Sequence, residues 1–158
     1  MKNLIYFLLV SIIFYNCKNS PAKKTFKIPS EIKTMYSKYV IAWSDADFTT
    51  ITEEIYELPF SLYLKDTTII YNSKKELVSF LTNSFNTLEK NNYGYSITNS
   101  WDYYKKNDNI VVIEMNFTRF LKDSTIMGAK NRTATYILRK KNDAFKISAL
   151  IPHTPVSE

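Results

Sequence analysis

From Tyr93 to the end of the chain the sequence repeats with a period of two, and this constrains the fold more than any other feature. Tyr93, Tyr95, Ile97, Trp101 and Tyr103 share one face of a first stretch. Val111, Ile113, Met115, Phe117, Arg119 and Leu121 share a face of the second. Ala134, Tyr136 and Leu138, then Phe145, Ile147, Ala149 and Ile151, mark two more. Residues at i, i+2 and i+4 line one side of a strand, so each stretch predicts a half-buried strand. Turn-forming clusters (Lys106-Asn107-Asp108-Asn109, Lys122-Asp123-Ser124 and Lys141-Asn142-Asp143) separate them, which predicts consecutive antiparallel hairpins. A four-strand meander of this kind leaves one apolar face that the preceding residues must cover.

Those residues carry the helical period. Ile32, Met35, Tyr36, Tyr39, Val40 and Trp43 form one stripe, with Ser30 placed as the N-cap. Asp47 can cap a shorter helix that turns Phe48, Ile51 and Ile55 inward and ends at Pro59. Phe60, Leu62 and Leu64 alternate with Ser61, Tyr63 and Lys65 as a strand, and residues 67–71 read as another short one. Ser73 and Glu76 make a capping box for a helix carrying Leu77, Phe80, Leu81, Ser84, Phe85 and Leu88. Helices gathered ahead of an antiparallel sheet pack on one face of it, so the fold class is α+β. The expected form is a roll of three helices on a strongly curved antiparallel sheet, with four long strands and one or two short ones.

Composition narrows the chemistry. The 158 residues include 2 Gly, 1 Cys and 1 His, with 45% hydrophobic and 15% aromatic residues. Two glycines cannot build a Gly-rich phosphate loop. One cysteine and one histidine exclude a zinc site made of those ligands and an intrachain disulfide. No cofactor or metal is expected. The net charge of +6 comes from lysines spread over turns and helix faces, not gathered with aromatics, so nucleic acid is not an expected partner.

The N-terminus points to the cell envelope. A short basic start precedes an apolar run from Leu4 to Phe14, only about 16 Å as a helix and too short to span a bilayer. The run ends at Cys17, and this resembles a bacterial lipoprotein signal peptide over residues 1–16, with Cys17 acylated. Tyr15 and Asn16 depart from the small residues usual before that cysteine. Residues 17–29 read as a tether holding the chain to the membrane through the acyl groups, 30–151 as the domain and 152–158 as a tail. Lys18 after the cysteine and the lack of an acidic run imply, by the same resemblance, an outer membrane location facing the periplasm.

The order of elements, Trp43-Ser44-Asp45-Ala46-Asp47-Phe48 leading to Ile51, and Phe117-Thr118-Arg119 late in a strand resemble the nuclear transport factor 2-like superfamily. The closing segment from Tyr136 to Ile147 fits as well. That group includes ketosteroid isomerases and SnoaL-type cyclases. The resemblance implies a cone-shaped sheet with a ligand pocket inside and, in many relatives, a homodimer through the outer sheet face.

The residues expected to bind a ligand are Tyr36 and Trp43 from the first helix and Tyr63, Tyr95, Trp101 and Tyr136 from strands. Met115, Phe117 and Arg119 complete the set. Alternation puts Arg119 on an apolar face, where a guanidinium needs a buried carboxylate, the water at the rim or an anionic ligand. Arg132 makes a weaker candidate for the same role. No catalytic residue is assigned. The isomerase pattern wants an acid on the first strand, where this chain reads Phe60-Ser61-Leu62-Tyr63, although Tyr39 matches the tyrosine of that pattern. Asp66, Asp102 and Glu114 read as outward, and His153 as beyond the last strand. The expected function is therefore a membrane-tethered, non-catalytic domain binding a small hydrophobic or amphipathic molecule, neutral or anionic. The alternatives are a cofactor-free isomerase, dehydratase or hydrolase, and an interaction subunit whose cone is filled.

Overall fold

The computed structural model describes residues 28–153. The expected signal peptide, Cys17, most of the expected tether and the last five residues lie outside that range. Helix α1 (Ser30–Ser44) is followed by α2, which runs from Phe48–Thr50 into a π-helical turn at Ile51–Ile55. Strands β1 (Tyr56–Tyr63) and β2 (Thr68–Tyr71) precede α3 (Lys74–Lys90). Then come β3 (Tyr93–Lys105), β4 (Ile110–Leu121), β5 (Arg132–Lys141) and β6 (Ala144–Pro152). Three helices on a curved six-stranded sheet make the α+β cone.

The sheet order is β2-β1-β6-β5-β4-β3, with hairpins between consecutive strands from β3 to β6. One pairing differs from the expected antiparallel sheet: β1 runs parallel to β6, with Tyr56 opposite Ile147 and Leu62 opposite Leu150. The two strands are far apart in sequence, so no turn signal reports their pairing.

Local signals differ in how well they hold. Ser73 and Glu76 form the capping box, with the Ser73 and Asn72 amides donating to the Glu76 carboxylate at 3.1 and 2.9 Å. Asp47 caps α2 by accepting from the Thr50 amide at 3.0 Å. Pro29, not Ser30, occupies the N-cap of α1, and Ser30 is its first residue. Pro needs no donor there and its backbone is already set for helix entry. Pro59 does not end α2, which closes at Ile55; it sits inside β1. It falls where β1 pairs with neither neighbour, between the Tyr56 and Ser61 contacts to β6 and before Phe60 meets β2. A missing amide costs no ladder bond there.

The inner sheet face and the helices share one core of Ile32, Ile51, Ile55, Phe60, Leu77 and Leu81 with Val111, Ile113, Leu138 and Ile147. Ile28 packs against it, so the ordered domain starts ahead of residue 30.

Besides the register shift between Tyr56 and Ser61 in the β1–β6 pair, three irregularities bend the sheet and re-aim its side chains. The β3–β4 register shifts between Tyr93 and Tyr95 and again between Thr98 and Ser100. The first shift is at Gly94, where a Cβ would stand 2.7 Å from the Leu121 carbonyl oxygen. At the second, Asn99 donates to Asn116 and Thr118 at 2.8 and 2.9 Å. The third lies in the β5–β6 pair at Ser148, whose hydroxyl donates to the Ile137 carbonyl at 3.1 Å. Each bulge adds one residue and reverses the faces beyond it. Ser96, Thr98 and Trp101 therefore stand opposite the inward Arg119, Phe117 and Met115. In β6, Leu150 opposite Tyr136 and Pro152 opposite Ala134 take the inward places expected for Ala149 and Ile151.

Candidate functional site

A cavity of about 450 Å³ lies between α1, α3 and the inner sheet face. One wall is aromatic. Tyr36 and Tyr39, three residues apart and consecutive in the α1 stripe, meet at 5.6 Å between ring centroids, and Tyr136 lies 6.3 Å from both. The Tyr56 hydroxyl donates to that of Tyr39 at 3.2 Å. Tyr36 hydrogen-bonds the Met115 sulfur, which also accepts from the Thr98 hydroxyl at 3.6 Å. Burial drives the phenol pKa values of Tyr36, Tyr39, Tyr56 and Tyr136 up, so these hydroxyls stay neutral donors. The facing wall is apolar: Val40 and Trp43 from α1, Phe80, Leu81 and Leu88 from α3, and Leu62 and Leu150 from the sheet.

The polar end belongs to two arginines. Arg119 is half-buried, its guanidinium carbon 5.5 Å from the Phe117 ring centroid. Burial, and then the charge of Arg132, push its pKa down, yet a guanidinium keeps its proton at any physiological pH. Arg132 donates from Nη2 to the Met127 carbonyl at 3.0 Å, while its buried Nε has no partner. Neither arginine forms an ion pair among the described residues, and no Asp or Glu lines the cavity there.

The opening is marked by exposed residues in the lining: Leu64 after β1, Thr87 on α3, and Pro152 and His153 where β6 ends. His153 stands just past the end of β6, as expected, and is also part of the lining. Its amide donates to the Thr133 carbonyl at 3.0 Å and its Nε2 lies 2.9 Å from the Thr135 hydroxyl.

Six of the nine expected residues reach the wall: Tyr36, Trp43, Met115, Phe117, Arg119 and Tyr136. Trp101 stands behind it, edge-on to Tyr36 at 4.2 Å and 76°. Two expectations are corrected. Tyr95 points to the outer face because the Gly94 bulge turns it over, and it stacks on Phe120 at 4.9 Å. Tyr63 alternates with the buried Leu62 and is 41% exposed, outside the cavity. Tyr56, Tyr93 and Thr98 were missed. Tyr56 stood in a stretch read as helix, and Gly94 in a strand is the sequence signal of the bulge that brings Thr98 inward.

A cone of this shape, helices on the concave side and a cavity within, agrees with what sequence comparison finds over residues 30–155, the family described as NTF2-like protein (DUF6841). The chain belongs to this NTF2-like family. No curated protein matches it. Solved structures with the NTF2-like shape include Aln2 from a Streptomyces species, with TM-score 0.62, 9% identity, and coverage of 80% of this chain and 94% of that one. A domain of unknown function with a cystatin-like fold from Nostoc punctiforme gives 0.61 at 14% identity, covering 81% and 77%. An NTF2-like protein from Novosphingobium aromaticivorans gives 0.60 at 8% identity, covering 77% and 78%. At these identities the likeness is one of fold, and function has to come from the NTF2-like cavity itself. Asp66 is exposed, and Asp102 and Glu114 face each other across β3 and β4 away from the cavity.

Proposed function

We propose that this NTF2-like protein is a lipid-anchored envelope protein that binds a small amphipathic anion in its cone without transforming it. The observation that carries the reading is an apolar, tyrosine-rich cavity that holds the half-buried Arg119 and no carboxylate. A cation placed where water is scarce, with no counter-charge nearby, favours a ligand that brings one. The apolar walls take the ligand's hydrophobic body. The tyrosine hydroxyls are neutral and donate; proton abstraction would need a base within hydrogen-bond reach, and the lining offers no carboxylate, while its one imidazole, His153, is exposed at the opening with Nε2 against the Thr135 hydroxyl.

Paired ligands of one chain length test the reading. Decanoate should raise the melting temperature of the purified protein more than decanol at the same concentration. At about 100 times its dissociation constant a ligand adds about 2.7 kcal/mol, worth several degrees here. Arg119→Gln should remove most of the advantage of decanoate. Equal shifts for acid and alcohol would contradict the anionic part of the reading.

The tether is tested separately. Palmitate fed to cells should label the protein and the label should vanish in Cys17→Ser; a labelled Cys17→Ser protein would overturn it. A homodimer through the outer sheet face belongs to the same reading. Tyr95 stacked on Phe120, with Ile97 and Ile126 48% and 43% exposed, supplies an apolar patch there. Sedimentation of the purified protein checks it, a monomer at all concentrations being the contrary result.

A further inference from the structure

Arg132 is better placed than a rim arginine needs to be. It leans over Gly128, where a Cβ would stand 2.9 Å from Nη2, and the Met127 carbonyl holds that same nitrogen. The loop between β4 and β5 therefore fixes the guanidinium by one edge. What remains is a buried Nε–H with no acceptor, on a residue lining the same cavity as Arg119. Leaving a buried donor unsatisfied is costly, so a shift of the Arg132 side chain toward an acceptor in the cavity gains a bond that the empty site lacks.

The two arginines are neighbours through the sheet. Arg132 pairs with Phe117, two residues before Arg119 on the same face of β4. This puts them in the diagonal relation, within reach of each other's long side chains. Ser96 stands opposite Arg119 on β3, and its hydroxyl lies 2.9 Å from that of Tyr93. Two like charges side by side repel unless something of opposite sign sits between them. A carboxylate can accept from both guanidiniums, yet its single negative charge balances only one of them. A phosphate monoester carries about −1.5 to −2 charge and three terminal oxygens, enough to accept from both.

Resting on the amphipathic-anion reading above, we infer that Arg119 and Arg132 together select an amphiphile whose head is a phosphate monoester. The phosphate sits between the two guanidiniums, and the hydrocarbon body lies along Trp43, Phe80 and Leu62.

The test compares calorimetric affinities of the purified protein for decyl phosphate, its singly charged methyl ester decyl methyl phosphate, decanoate and inorganic phosphate. Decyl phosphate should bind at least tenfold tighter than the methyl ester, and inorganic phosphate at least tenfold weaker than decyl phosphate. In Arg132→Gln, shown folded by circular dichroism, the preference for phosphate over its methyl ester should drop below threefold. A preference under tenfold in the wild type, with decanoate still binding, overturns the dianion inference and leaves the broader reading intact. Inorganic phosphate binding as tightly as decyl phosphate makes the site one for free phosphate and overturns it too. A preference that survives Arg132→Gln removes Arg132 from the site. If no decyl compound binds, both the inference and the reading beneath it fail.

Discussion

At the residue scale the site depends on a few side chains whose surroundings decide their chemistry. Gly128 has φ +70° and its missing Cβ makes room for Arg132. Gly128→Ala should cost about 1–2 kcal/mol from the left-handed backbone and push the Arg132 guanidinium off its perch. Chemical denaturation reads the first effect, and a weaker grip on decyl phosphate the second. The tyrosines give a pH signature. Tyr36, Tyr39, Tyr56 and Tyr136 have pKa values raised by burial above that of an unfolded tyrosine, about 10. The folded state thus holds those protons longer than the unfolded state. Their contribution to stability is complete below about pH 10 and is lost as pH rises further. Phenolate absorbance from these four should appear with unfolding, not before it. Phenolate absorbance reaching its full value near pH 10, these four included, before any loss of circular dichroism would contradict their burial. Arg119 was legible from alternation alone, because β4 has no bulge before it. Tyr95 was not, because a single glycine next to the strand's first residue reversed its face.

At the element scale, caps and periodic stripes were readable and bulges were not. The α3 capping box needs only a Ser and a Glu three apart, a local pattern that tertiary contacts rarely override. Ser73→Ala should cost about 1 kcal/mol, seen as a melting point a few degrees lower. The acid limb has the opposite sign from the alkaline one. Backbone amides of Asn72 and Ser73 hold the Glu76 pKa down, and the Thr50 hydroxyl and amide do the same for Asp47. Stability from these groups is present above the unfolded carboxylate range, about pH 4, and fades as pH falls through the folded values. Replacing Glu76 by Gln should flatten that fall, and an unchanged acid profile would contradict the role given to the box. Strand faces failed where one extra residue entered. Gly94 announced its bulge, whereas Asn99 and Ser148 show theirs only in side-chain bonds to neighbouring strands that no single-strand pattern contains.

At the scale of the whole molecule, helices before a meander were enough to give the cone, because a sheet with one apolar face admits few ways of being covered. The parallel β1–β6 pair was beyond reach, since it joins segments with no shared turn. The cavity follows from assembly. Tyr39 from α1, Tyr56 from β1 and Tyr136 from β5 have no sequence relation, yet their rings come together within 6.3 Å of Tyr39. Its charge is also a property of the whole. Acids occur throughout the chain, but the fold turns Asp66, Asp102 and Glu114 away and leaves two arginines inside. The central claim is that this arrangement selects an amphipathic anion. Calorimetric titration of decanoate and decanol into wild-type protein and Arg119→Gln tests it most directly. The account predicts saturable one-to-one binding with decanoate at least tenfold tighter than decanol in the wild type, and a ratio close to one in the variant. A wild-type ratio close to one, or a ratio that Arg119→Gln leaves unchanged, would contradict it.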